Sequence, residues 1–149
     1  MSRVNFFVPG IPATGGSKRA FVNHKNGKMV VMDDCKRNKD WRAVVALAGK
    51  QAMEGNLPLT GSLAVWMTFT LPRPKSHFGT GRNAHTLKPA FRHLGHTSKP
   101  DVLKLARAAE DALTGICWFD DSQTAYLCLA KRYGDEPGVW IEVSQEDEP

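Results

Sequence analysis

The sequence holds only three cysteines, Cys35, Cys117 and Cys128, and none lies in a CxxC pair. An odd, scattered set excludes a disulfide framework and predicts reduced, buried thiols. No apolar run approaches the roughly 20 residues that a membrane-spanning helix needs, which points to a soluble protein without a membrane partner. The opening MSRVNFFVPG lacks the charged start, apolar middle and small-residue cleavage site of a secretory signal. A cytoplasmic setting is the expectation. Neither an internal repeat nor a linker divides the 149 residues, so one domain spanning 1–149 is expected.

Acids are missing where bases are dense. Pro72 to Ser98 carries Arg73, Lys75, Arg82, Lys88 and Arg92 with His77, His85, His93 and His96, and no Asp or Glu. Pro72, Pro74, Gly79, Gly81, Pro89 and Gly95 interrupt it. It reads as a long basic loop, 72–98, suited to phosphate contact. Phe78 and Phe91 serve either to stack on bases or to pin the loop to the core. The histidines invite a zinc reading, but no cysteine lies at finger-like spacing, and solvated imidazoles are expected. The net charge is +5 although Glu146, Asp147 and Glu148 fall in an acidic tail, 144–149. That surplus suits a polyanionic partner, or serves solubility alone.

A nucleotide-binding loop is absent too. In GIPATGGSKRAF, Gly10 and Gly15 have four residues between them, but Gly16 stands where the loop needs lysine, and Lys18 comes two places late. What remains is a glycine pair followed by Lys18 and Arg19, either a phosphate-approaching segment or a plain loop.

The periodicities that are present order the chain as strand, hairpin, helix, strand, helix, strand, strand. RVNFFVPG reads as the first strand. Asn26 and Gly27, between strand-like flanks, mark a hairpin turn, because both tolerate positive φ. Over Lys39–Met53, Trp41, Val44, Val45, Leu47, Ala48 and Ala52 recur at helical spacing, with Asp33 or Asp34 as candidate caps. SLAVWMTFTL alternates Leu63, Val65, Met67, Phe69 and Leu71 against a second, fairly apolar face, as a central strand does. TAYLCLAKRYG and GVWIEV read as two strands around a turn at Gly134 to Gly138. The expected fold is α+β, two helices packed on one mixed sheet.

Between the last two blocks lies KPDVLKLARAAEDALTGICWFDDSQ. Val102, Leu105, Ala106, Ala109, Ala112 and Leu113 form one helical stripe, Asp101 suits its N-cap, and Gly115 the left-handed position that ends it. Asp120 and Asp121 suit a turn before a strand. The same acids also read as a dispersed site: if helix start and strand start converge, Asp101, Asp121 and Asp120 surround a hard cation such as Mg²⁺, with Arg107 free to neutralise a phosphate. Both readings stand on these residues alone.

The stretch resembles the RusA family of Holliday-junction resolvases. KPD at Lys99–Asp101 matches the family's first acid, Arg107 its basic helix position, DALTG at 111–115 the helix end, and DDSQ at 120–123 the last acids. VPGIPATGGSKRAF, PRPKSH, KRYG and PGVWIEV resemble it more weakly. The resemblance implies a homodimeric α+β endonuclease, often carried by phages, that binds four-way DNA junctions and cuts them symmetrically with Mg²⁺ or Mn²⁺. It implies Asp101 and Asp121 as metal ligands, Asp120 as a supporting acid and Arg107 as the catalytic cation. The DNA-contacting candidates are Lys18, Arg19, Arg73, Lys75, Arg82, Lys99 and Lys104. One position departs: the family's second acid falls on Leu103. Glu110 lies about 20° from Leu103 on the helical wheel and about 10 Å further along the axis. It serves a shifted metal or stands as an exposed glutamate. If nothing compensates, the expectation is a dimeric junction-binding protein with weak or absent cleavage.

Overall fold

The order read from the sequence is the order of the fold. The computed structural model describes residues 1–14, 18–22, 29–33 and 36–146. It contains β1 (Arg3–Pro9), β2 (Lys18–Val22), β3 (Met29–Asp33), α1 (Lys36–Met53), β4 (Leu63–Leu71), α2 (Val102–Leu113), β5 (Thr124–Tyr133) and β6 (Gly138–Gln145). Asp33 ends β3, so it does not cap α1, and Asp34, Cys35 and the Asn26–Gly27 turn lie outside the described residues. The strands flanking that turn pair antiparallel from Lys18 opposite Asp33 to Val22 opposite Met29.

The main sheet runs β1-β6-β4-β5 and is mixed. β4 pairs antiparallel with β6 and parallel with β5, and β6 continues antiparallel to β1. The last two strands are joined by a short turn yet do not pair, because β4 lies between them. Alternation on β4 does what it predicted. Leu63, Val65, Met67, Phe69 and Leu71 all face the core, joined by Val139, Ile141 and Val143 of β6 and Val4 and Val8 of β1.

α2 buries Leu105, Ala106, Ala108, Ala109 and Leu113. The added Ala108 widens the expected stripe because α2 also packs against α1. Gly49 makes that approach possible: a Cβ there would run into the Leu113 side chain and lie 3.3 Å from Cys117 Sγ. Arg42 closes the same crossing with an Nη2–Oδ2 ion pair to Asp111 at 2.9 Å. On α1, Trp41 and Val45 are buried as expected, but Val44 and Leu47 are exposed. One helix face is shared between sheet and α2, and these two residues turn away from both.

Two further expectations are corrected. Cys117 is buried, and desolvation pushes its thiol up to about 12, but Cys128 is exposed on the edge strand β5. His77 and His96 are buried rather than solvated. His77 stacks on Phe91 at 4.3 Å between centroids and meets Tyr133 edge-on at 5.0 Å, and His96 packs on Tyr133 at 4.4 Å. The basic loop thus has an aromatic root, and Phe91 pins it there.

Candidate functional site

Asp101 occupies the N-cap position of α2 with extended backbone, φ −70° and ψ 136°. Its carbonyl accepts from the Leu105 N–H at 3.1 Å, but its carboxylate caps nothing. The expected cap is therefore right in place and wrong in bonding. Lys104 Nζ lies 3.8 Å from it, with both side chains largely exposed. Lys131 of β5 fixes the segment before the helix, its Nζ donating to the Ser98 carbonyl at 2.6 Å and the Pro100 carbonyl at 2.9 Å. A hollow of about 170 Å³ opens beside Asp101, lined by Thr14, Lys99, Pro100 and Lys104.

The second acidic element is built differently. Gly115, at φ +86°, turns the chain out of α2, and the buried Trp118 anchors the segment beyond it, its Nε1 donating to the Thr114 hydroxyl at 3.1 Å. Asp121–Gln123 then forms a single 3₁₀ turn. Asp120 accepts from the Ser122 N–H at 2.8 Å, while Gln123 Oε1 accepts from the N–H groups of Phe119 and Asp120 at 2.8 and 2.9 Å. This is a capping box, and its reciprocal bonds explain why D-x-x-Q makes a turn here. Asp120 is held below the usual carboxylate range chiefly by the Ser122 backbone bond. Gln123 also donates to the Leu59 and Gly61 carbonyls at 3.0 and 3.1 Å, tying the turn to the loop before β4. Its role escaped the sequence reading, although the capping-box spacing carried the signal. Asp121 is left exposed at the front of the turn.

On α2, Leu103, Arg107 and Glu110 fall within about 60° of one another at 100° per residue. Arg107 and Leu103 are exposed, and Glu110 is partly buried. Burial raises the Glu110 pKa above its ordinary value, the charges of Asp121 and Asp111 add to it, and the Thr124 hydroxyl opposes it. Glu110 and Asp121 are thus electrostatic neighbours. Asp101 lies nine residues up the helix, about 13 Å along its axis. Among the described residues, no three His, Cys, Asp or Glu side chains group closely enough to hold a metal by themselves. Asp111, within the DAL motif, is tied to α1 through Arg42.

The donor chemistry nevertheless fits a hard divalent cation. Mg²⁺ keeps several waters and binds through one or two carboxylates plus substrate phosphate, so it needs no closed protein cage. The charge of Asp121 adds to the rise in the Glu110 pKa, and a cation beside these carboxylates would relieve that repulsion.

Of the expected DNA-contacting side chains, Lys75, Arg82, Lys99 and Lys104 are exposed. Arg73 is engaged within the loop: its Nη1 donates to the Phe91 carbonyl at 2.9 Å and its guanidinium lies 5.4 Å from the Tyr133 ring centroid. Lys18 and Arg19 lie on β2, but their side chains, with Gly15 and Gly16, fall outside the described residues. No described helix is long and apolar enough to cross a membrane.

Comparison with known proteins adds two findings. Residues 9–144 match the family described as Endodeoxyribonuclease RusA. The chain is also similar to an uncharacterised protein, YqaN of Bacillus subtilis strain 168, at 29% identity over 145 residues, covering 97% of this chain and 98% of that protein.

Proposed function

The chain belongs to the RusA endodeoxyribonuclease family, and from that premise we propose that it is a divalent-metal-dependent endonuclease acting in the cytoplasm on four-way and related branched DNA, in recombination and repair. The observation that carries the reading is the unspent carboxylate of Asp101 at the head of the helix whose exposed stripe carries Arg107, with the exposed Asp121 near enough for its charge to act on Glu110 of that stripe. Asp101 and Asp121 would hold Mg²⁺ or Mn²⁺ with Asp120 as a supporting acid, and Glu110 would serve a cation shifted down the helix from Asp101. The bound cation supplies an activated water and charge neutralisation at the phosphate.

This chain's own residues do the rest. Arg107 projects from the exposed face of α2 and offsets negative charge on the phosphate as the bond breaks. Lys99 and Lys104 flank Asp101 and hold the strand by its backbone. Lys75 and Arg82 extend that electrostatic track along the basic loop, Lys18 and Arg19 along β2, and Arg73 braces the loop they stand on. Gln123 keeps Asp121 in place.

A second copy of the chain completes the reading. On the side of the sheet away from the helices, Phe7, Trp140, Trp66 and Tyr126 lie uncovered or half-covered, and Trp66 contacts Tyr126 at 5.6 Å between centroids. Arg3 and Glu142 pair with each other on that face, so it carries little net charge to oppose self-association. Two protomers supply the two sites that a symmetric pair of cuts requires.

One observation favours a second reading, a dimeric junction-binding protein with weakened catalysis. Leu103 is 70% exposed where an acid would add a further oxygen donor. An end-labelled four-way junction incubated with Mg²⁺ separates the two. Paired symmetric nicks support the nuclease; a retarded complex without nicks supports the binding protein.

A further inference from the structure

The hollow next to the compartment of Asp101 is not acidic. It has a volume of about 340 Å³, at the low end of the roughly 300 to 1,000 Å³ of small-molecule pockets. Its walls are the flat apolar faces of Pro12, Pro72, Pro74 and Pro100 with the ring of Tyr133. It shares Thr14, Lys99 and Pro100 with the hollow that contains Asp101. Proline faces and an aromatic ring suit a planar partner, and a lysine on the shared wall suits that partner's attached anion. A nucleotide has both, and here the two parts lie in adjacent compartments.

The walls are also braced. Tyr133 is packed against His77, Arg73 and His96, the last also lining the cavity, and its hydroxyl lies 3.3 Å from the Ser98 hydroxyl. Lys131 pins the carbonyls on either side of Lys99. A rigid slot gains affinity because little order has to be imposed on binding. The volume accommodates one base, and a base enters a surface hollow only when it leaves the stack, as bases at a branch point readily do.

We propose that this cavity receives one unstacked nucleobase of the bound DNA strand, adjacent to the phosphate held at Lys99 and Lys104. The proposal rests on the reading of the chain as a branched-DNA protein, but it does not require cleavage. Tyr133 stacks on the base, and the four prolines exclude water around it. The base anchors the strand relative to the acids, so the pocket sets which phosphodiester is presented.

The test is binding of the full chain, without added metal, to four-way junctions in which one abasic nucleotide is stepped through the positions around the branch point. Fluorescence anisotropy should show a loss of about tenfold in affinity at one position per strand, the scale of a lost base stack. Tyr133→Phe should keep that position-dependent loss, because it keeps the ring. Ile11→Asp, which places a charge at the exposed rim of the cavity, should make intact and abasic junctions bind alike. Equal binding of every abasic junction overturns the proposal, as does an unchanged abasic penalty in Ile11→Asp. A base-dependent complex that still does not cut once Mg²⁺ is added leaves the pocket standing and removes the nuclease reading. A chain that binds no junction removes both.

Discussion

Leu103 projects into solvent from the stripe that carries Arg107 and Glu110, and burying nothing it has no packing duty to lose. Leu103→Asp is therefore expected to leave stability within about 0.5 kcal/mol and to raise the single-turnover cutting rate at least tenfold. An unchanged rate would mean that Glu110 already supplies the missing oxygen. Glu110 has its own signature. Its folded-state pKa is raised, so the stability tied to its protonated form is fully present below the unfolded value and is lost as pH rises through the folded one. Glu110→Gln should accordingly raise the melting temperature by about 1 to 2 °C at pH 7, a gain that disappears near pH 4. Millimolar Mg²⁺ should stabilise the natural protein more than this variant. An equal Mg²⁺ response in both would place the cation elsewhere.

At the scale of elements, the 3₁₀ turn and the helix crossing behave as separate units. Gln123→Ala removes both carbonyl anchors and half of the capping box, and should cost about 1 to 3 kcal/mol in urea unfolding. Its cutting rate should fall further than that loss accounts for, because Asp121 rides on the turn. Gly49→Val, by contrast, forces α1 off Leu113 and should destabilise by about 1 to 3 kcal/mol without altering the metal response of the folded fraction. Much of this architecture is legible in the sequence. Period-two alternation locates β4, the alanine stripe locates α2, and Gly115 marks its end. The illegible parts depend on partners distant in sequence. Nothing local says that Val44 and Leu47 face solvent, that His77 finds Phe91 and Tyr133, or that β4 separates β5 from β6. In the site, the acids and Arg107 are readable as residue types, whereas the proximity of Glu110 to Asp121 depends on where β5 docks beside α2.

At the scale of the whole molecule, charge and the open sheet face make different demands. Junction binding by a basic protein releases counterions, so affinity should fall steeply and linearly in log–log form with salt. Self-association through Trp140 and Trp66 should change little with salt. Trp140→Glu is expected to give a monomer in sedimentation velocity and to abolish paired nicks while single nicks persist; a dimer in that variant would direct attention to another face. The sheet order has a consequence for biosynthesis as well. β6, made after β1 and β4, lies between them in the sheet. Until it arrives, β1 has no neighbour in the sheet and the core face of β4 lacks Val139, Ile141 and Val143. The scaffold beneath the acids therefore closes only when β6 has paired on both sides, and a chain truncated before β6 should not assemble the site.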